Sequence, residues 1–312
     1  MLKNIKKYNL LIVLILLIMV FGLLNPAFLK IDNLLNILSQ NSIIGIVSLG
    51  MTLIIIIGGI DLSVGSIVAL CSILFALSIV SGLGMLISII VALLTGALIG
   101  LLNGITIEKG KIPPFIVTLG MMSIARGLAL MLSQSKSISL GSINFNSIIN
   151  SSFLGINVSS FIFILLAILL WIGLNKTYPG KYLFAIGGNR KASYFNGIKV
   201  VNYSIIIYTV CGALSAVAAV LLVGSLNAAQ PQSGVLYELT AIAAVVIGGA
   251  DLSGGKGSIT GTFVGVLILG VINNGLSIMN VPSYYQYILI GIIIIISVSI
   301  NNNFKILKNE KH

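Results

Sequence analysis

The stretch IIIIGGIDLSVGS, Ile54–Ser66, ends one apolar run, and AVVIGGADLSGG, Ala244–Gly255, ends another. Asp61 and Asp251 hold equivalent places in the two copies. Few other residues in the body of the chain carry an acid, so a repeated Gly-Gly-x-Asp-Leu-Ser after a water-avoiding segment predicts two related half-molecules. Paired, glycine-interrupted spans at corresponding positions are the sequence mark of a pathway through a membrane protein. Glycine allows positive φ and ends a helix, and Asp or Ser can cap the next one by accepting its orphan N–H groups. Gly58, Gly59, Asp61 and Ser63, with Gly248, Gly249 and Asp251, are therefore helix–turn–helix corners. They are also candidates for lining or gating a pathway, because broken helices at membrane depth persist only beside protein or a wet cavity.

The rest of the composition agrees with a membrane setting. The chain is 58% hydrophobic and 7% charged, with mean hydropathy +1.16. A soluble domain carries about 25% charged residues, so lipid must replace water around most of this protein. No polar stretch is long enough for a separate soluble domain, which predicts one transmembrane unit over 1–312. The formal charge of +11 would suggest nucleic acid in a soluble protein, but here its distribution matters more, and no nucleic-acid partner is expected. Cys71 and Cys211 lie within apolar runs and read as packing residues rather than a disulfide or metal pair. His312 is the only histidine. No metal site, cofactor or catalytic residue is expected.

A helix crosses the bilayer with about 20 apolar residues. The runs 8–28, 41–59, 63–81, 84–103, 115–133, 158–174, 203–224, 238–250, 258–279 and 284–300 predict an all-α, polytopic protein of about ten spans. The eighth is short. An uncleaved first span with the N-terminus inside puts most of the chain's cations, including Lys109, Lys111 and those of the 175–201 loop, on the cytoplasmic side. Lys30 and Lys136 then fall outside, so both termini are expected in the cytoplasm. Re-entrant hairpins at spans two and eight would export the basic 175–201 loop, which argues against them. Gly96, Gly100 and Gly104, and Gly261 and Gly265, form small-residue faces for close helix approach.

Several polar residues stand out against this background. Arg126 lies inside the fifth span, where an isolated cation costs ~2.5–3.5 kcal/mol, so it either makes structural hydrogen bonds or faces the pathway. Glu238 opens the eighth span, where an acid complements the helix dipole. Amides such as Gln40, Asn41, Asn103, Asn227, Gln230, Asn273, Asn274 and Gln286 suit either a hydroxyl-rich neutral cargo or helix-to-helix bonding. GGADLSGGKGS, Gly248–Ser258, falls short of a phosphate-binding loop: Ala250 and Gly257 stand where Gly and Ser or Thr are required. The loop NKTYPGKYLFAIGGNRKASYFNGIKV, 175–201, has a helix-capable stretch at Asn189–Phe195 and a stop at Gly197. It reads either as a basic loop on anionic lipid or as a docking element.

Five motifs in order give the chain a family likeness: Gly50–Ser66, GMTLIIIIGGIDLSVGS; Pro114–Gly127, PFIVTLGMMSIARG; Gly187–Ile198, GGNRKASYFNGI; Ala228–Gly257; and Gly270–Gln286. Nearly end to end, it resembles the permease subunits of bacterial ABC importers for ribose and related monosaccharides. The resemblance implies a homodimeric channel in the cytoplasmic membrane, a cytoplasmic ATPase subunit that drives it, and an extracytoplasmic sugar-binding protein that delivers cargo. It also implies that a short cytoplasmic helix docks in the ATPase. The matching stretch supplies Gly187, Gly188, Asn189, Arg190, Ala192 and Gly197. Where the family usually has an acidic-Ala-Ala step, this chain reads Arg190-Lys191-Ala192-Ser193. An ion-coupled secondary transporter, using Asp61 or Glu238 as its intramembrane acid, is the competing expectation.

Overall fold

The computed structural model describes residues 2–141, 145–149, 151–153 and 155–282, together with 284, 285, 288, 289, 291, 292 and 295, and, from Asn9 onward, their side chains other than those of 146, 148 and 153. Most of the expected tenth span, with Gln286, Lys305, Lys308, Lys311 and His312, lies outside the described residues.

The chain is a helical bundle. Helix α1 (Leu2–Leu24) is followed by a 3-10 turn (Pro26–Leu29), α2 (Ile31–Ile56), α3 (Val64–Val80), α4 (Met85–Gly110) and α5 (Pro114–Leu132). An irregular stretch then holds β1 (Ile138–Ser139), α6 (Phe145–Ile149), β2 (Ser152–Phe153) and β3 (Ile156–Asn157). Next come α7 (Val158–Lys176), α8 (Tyr178–Gly188), α9 (Arg190–Phe195), α10 (Val200–Leu226), β4 (Ala228–Ala229), α11 (Tyr237–Ile247) and α12 (Ile259–Ile278). β1 pairs antiparallel with β4, and β2 with β3, which fastens the loops at one end of the bundle. The opposite end carries the two Gly-Gly-x-Asp corners and the α8–α9 pair.

Among the described residues six helices are long and apolar enough to cross a membrane: α2, α4, α5, α7, α10 and α12. Asn9–Leu24, α3 and α11 are apolar but shorter. Helix α3 is buried on nearly every side, as a helix apolar all round must be. It packs against α10, α4 and α5, while α10 also lies against α2, and together they form the core. Large apolar side chains on α1, α4, α5 and α7, among them Leu23, Leu86, Ile116 and Leu169, face outward. That is the arrangement lipid requires.

Helix α2 begins ten residues before the predicted boundary. Asp32, Asn33, Asn36, Ser39 and Gln40 dilute its first three turns, and an apolar-run criterion stops where they start. The 175–201 loop is mostly helical, with α8 unforeseen. Lys176 lies over the Trp171 ring and Lys181 over Tyr178, at 5.7 and 5.4 Å from the centroids, as in an interfacial aromatic belt.

The expected small-residue face of α4 meets α10. A Cβ at Gly100 would overlap the carbonyl of Tyr208, and one at Gly96 would overlap the carbonyl of Gly212. Gly120 of α5 has nothing within 4 Å. Gly100→Leu should therefore force the two helices apart, costing at least the ~1–3 kcal/mol of an overpacked core, and lower the amount of folded protein recovered from membranes. Gly120→Leu should be recovered like the wild type. Fluorescence-detected size exclusion of the two variants checks the pair.

Candidate functional site

The first corner is closed by its own side chains. Asp61 is fully buried, and its Oδ1 accepts from the Ser63 amide at 2.8 Å and from Ser63 Oγ at 2.6 Å. Asn103 of α4 donates Nδ2 to Ser63 Oγ at 2.9 Å, while Thr118 of α5 and Tyr208 of α10 each reach the carbonyl of Ile60 at 3.4 Å. Three helices thus hold one corner. Asp61 and Ser63 cap less directly than the sequence suggested: Ser63 makes no side-chain bond to the α3 N-terminus because its hydroxyl is committed to Asp61. Asp61 Oδ2 and Asn103 Oδ1 are buried with no hydrogen-bond partner among the described residues.

The second corner uses the same Asp-to-Ser turn, with the Ser253 amide donating to Asp251 Oδ1 at 3.0 Å. Lys256 adds a cation 3.6 Å from Asp251 Oδ2. The inserted Gly254–Gly257 stretch moves the α12 cap to Ser258, whose hydroxyl accepts from the Gly261 amide at 2.9 Å. The copies also differ by one residue in where they turn. Positive φ falls on Gly58 in the first and on Gly249 in the second.

These corners touch each other and the end of α8. The Gly255 amide donates to the carbonyl of Ile56 at 2.8 Å. A Cβ on Gly187 would overlap Ile56 O and Gly255 N, and one on Gly254 would lie 2.9 Å from the Gly187 carbonyl. Three backbone segments meet with no side chain between them, so this junction accepts only glycine at its centre.

One residue beyond it the chain turns. Asn189 ends α8 by donating its amide to Ala185 O at 3.0 Å, and it starts α9 by accepting the Ala192 amide on Oδ1 at 2.9 Å. Gly197, at φ 81°, lies just past the end of α9. Arg190 pairs with Glu108 near the end of α4, an acid the sequence reading passed over. Tyr194 and Phe195 are exposed on α9.

Helix α11 rises about 16 Å for its 11 residues, roughly half of the ~30 Å hydrocarbon layer. The chain covers the rest of the path as turns over 231–236. Arg126 accounts for that irregular backbone: Nη1 donates to Pro231 O and to Ser233 O, the latter at 2.8 Å. Gly234 lies so close to Gly65 that a Cβ on either would overlap the other's carbonyl. The short eighth span expected over 238–250 is the half-helix α11, and the non-helical 231–236 segment precedes it. Glu238 sits in the first turn of α11 next to Gly65 and beyond ion-pair distance of Arg126.

Asn273 and Asn274 lie near the other end of α12, away from both corners. Asn274 Oδ1 accepts from Asn33 of α2 at 3.0 Å, a helix-to-helix link. A cavity of about 670 Å³ opens at that end, lined by Asp32, Asn36, Ser39 and Gln40 of α2, with Asn157 and Tyr237 facing them. The sequence reading found only Gln40 there. The i, i+4 spacing of Asp32, Asn36 and Gln40 was the available signal.

The junction gives a direct test. Gly187→Ala should break the Gly255–Ile56 bond and lower the melting temperature in detergent, at the ~1–3 kcal/mol typical of overpacking. Gly188→Ala, with nothing within 4 Å, should melt like the wild type. Equal melting points for the two variants would remove the junction.

Comparison with known proteins places the chain. The family described as branched-chain amino acid transport system permease component matches residues 33–298. The ribose import permease protein of Bacillus subtilis (strain 168) is 46% identical over 287 residues, 91% of this chain and 89% of its own length. That of Haemophilus influenzae is 41% identical over 93% of this chain and 91% of its own length, and the D-allose transport system permease protein of Escherichia coli K12 is 34% identical over 95% and 91%. No solved structure matches. With six apolar helices of spanning length among the described residues, this is a multi-pass protein of the bacterial cytoplasmic membrane, and it belongs to the family of branched-chain amino acid transport system permease components.

Proposed function

We propose that the chain is the membrane-spanning permease subunit of an ATP-driven importer of a monosaccharide, ribose first. The observation that carries this reading is the 40–46% identity to ribose import permeases over more than nine-tenths of the chain. In this reading the chain is one transmembrane unit of about ten spans with both termini cytoplasmic. It works as a homodimer in lipid with a cytoplasmic ATPase and an extracytoplasmic sugar-binding protein. The end bearing the corners and α8–α9 is then the cytoplasmic end, in keeping with Lys109, Lys111, Lys176, Lys181, Arg190, Lys191, Lys199 and Lys256.

The permease makes and breaks no covalent bond. Helix α9 offers the ATPase Tyr194 and Phe195 from a basic surface, with Asn189, Arg190 and Ala192 at its start. Its orientation is fixed on two sides, by Arg190 on Glu108 and by Gly187 in the junction. A push on α9 therefore reaches the two corners through backbone, and from them α2, α3, α11 and α12. Arg126, Asp61 and Asn103 hold the broken segments together while the bundle rocks, with Glu238 beside Gly65. This is solvent-like stabilisation of irregular backbone and needs no titration.

The ion-coupled alternative would place its coupling ion at Asp61, whose second oxygen is buried without a partner among the described residues. In whole cells the two separate cleanly. Uptake that stops when the partner ATPase is inactivated, and continues under an ionophore while ATP stays high, is the expected result. The opposite pattern rules for ion coupling.

Arg190→Glu should uncouple uptake by facing Glu108 with a second acid, with the protein still in the membrane. The exchange Arg190→Glu with Glu108→Arg restores the internal pair. Recovered uptake in the double variant would assign Arg190 to orienting α9, and persistent loss with weak ATPase pull-down would assign it to the ATPase contact.

A further inference from the structure

We infer that the cavity between α2, α7, α10 and α11 is an acceptor site, inside a single permease chain, for a neutral monosaccharide released at the outer face. This rests on the sugar-import reading above and goes beyond it by naming where in this chain the cargo is first held.

The polar residues of the first turns of α2 fall into two groups. Asn33 donates to Phe28 O and to Asn274, Asn41 to Ile37 O, and Ser42 to Ser39 O. These side chains are satisfied within the protein. Asp32, Asn36 and Gln40, spaced i, i+4 and i+8, form one stripe. Among the described residues none of the three has a side-chain hydrogen-bond partner, and all three face the cavity. All three are exposed in the first turns of α2, a 26-residue helix about 9 Å longer than the ~30 Å hydrocarbon layer. Their partner is water or a solute that displaces it.

The opposite wall is built to hold its shape. Asn157 donates to Ser39, and its Oδ1 accepts the Ser160 amide and hydroxyl at 3.0 and 2.8 Å, which locks the start of α7. Tyr237 brings a half-buried ring, and Leu35, Ile43 and Leu222 supply apolar patches. Amides that donate and accept, one carboxylate and an aromatic face suit a sugar's hydroxyls and its C–H face. The volume of about 670 Å³ falls within the ~300–1,000 Å³ of small-molecule sites. Among the described residues no Lys, Arg or His lines it, so a phosphorylated sugar would meet Asp32 with no cation from these residues to offset the repulsion. Tyr237 is also the first residue of α11, whose other end is the second corner. An occupant therefore touches the helix that the junction moves.

The test uses the complete importer with ATPase and binding protein, in sealed membranes. Cys71 and Cys211 are buried, so Gln40→Cys adds the thiol that a membrane-impermeant maleimide reaches from outside. Ribose should slow that labelling roughly tenfold at about ten times its dissociation constant, ribose 5-phosphate should not, and Leu34→Cys should label at a rate independent of sugar. Asn36→Leu should lower uptake about tenfold with ATPase association intact, and Asn36→Gln should restore part of it. Labelling of Gln40→Cys that ignores ribose, allose and fructose alike, with wild-type uptake normal, overturns the acceptor site alone. A wild-type importer that accumulates no monosaccharide overturns the transport reading and this site together.

Discussion

Backbone N–H and C=O groups that leave a helix at membrane depth must find partners inside the protein. Three segments of this chain leave helix there, and each has its own solution. The first corner is held by Asn103, Thr118 and Tyr208 from three neighbouring helices. The 231–236 stretch gives two carbonyls to the one arginine within a span. The second corner borrows from the first through Gly255 and Ile56. Asp61, Ser63, Asn103, Thr118, Tyr208 and Arg126 serve these breaks, while buried hydroxyls elsewhere, such as Ser48, Thr52, Ser88 and Ser215, return to carbonyls of their own helices.

That division explains what could be read from the sequence. The helical class and most spans followed from apolar length alone. The Gly-Gly-x-Asp corners were visible because repetition and acid scarcity both marked them. Arg126 was visible as a cation in the wrong solvent, but its partners are main-chain carbonyls 105 and 107 residues away, which no periodicity reports. The start of α2 was lost because its polar stripe looks like a loop to a hydropathy criterion. Glu108 was overlooked because an acid at the end of an apolar helix resembles an ordinary interfacial residue until Arg190 is seen beside it. The close approach of Gly187 to both corners was beyond reach. A glycine pair in a basic loop signals only flexibility until tertiary structure shows what crowds it.

The two corner copies have also diverged in a way that fits different duties. Asp61 is sealed within a network of neutral groups, whereas Asp251 has Lys256 alongside and sits in a longer, glycine-rich turn. The first turn is held by side chains of neighbouring helices, and the second by its own backbone and Lys256. The half-helix α11, packed on α12 and α2, runs from the cavity lined by Tyr237 to the second corner.

The junction of Gly187 with Ile56 and Gly255 is made wholly of main chain. In the proposed complex, the side chains offered to the ATPase lie one turn further out, on α9. In that complex the layout separates recognition from transmission: the outer surface of α9 would be free to drift to suit a different engine while the main-chain junction and the Arg190–Glu108 pair beneath it stay the same. Exchange of ATPase partners between importers of this kind would then require only a change of face on a six-residue helix.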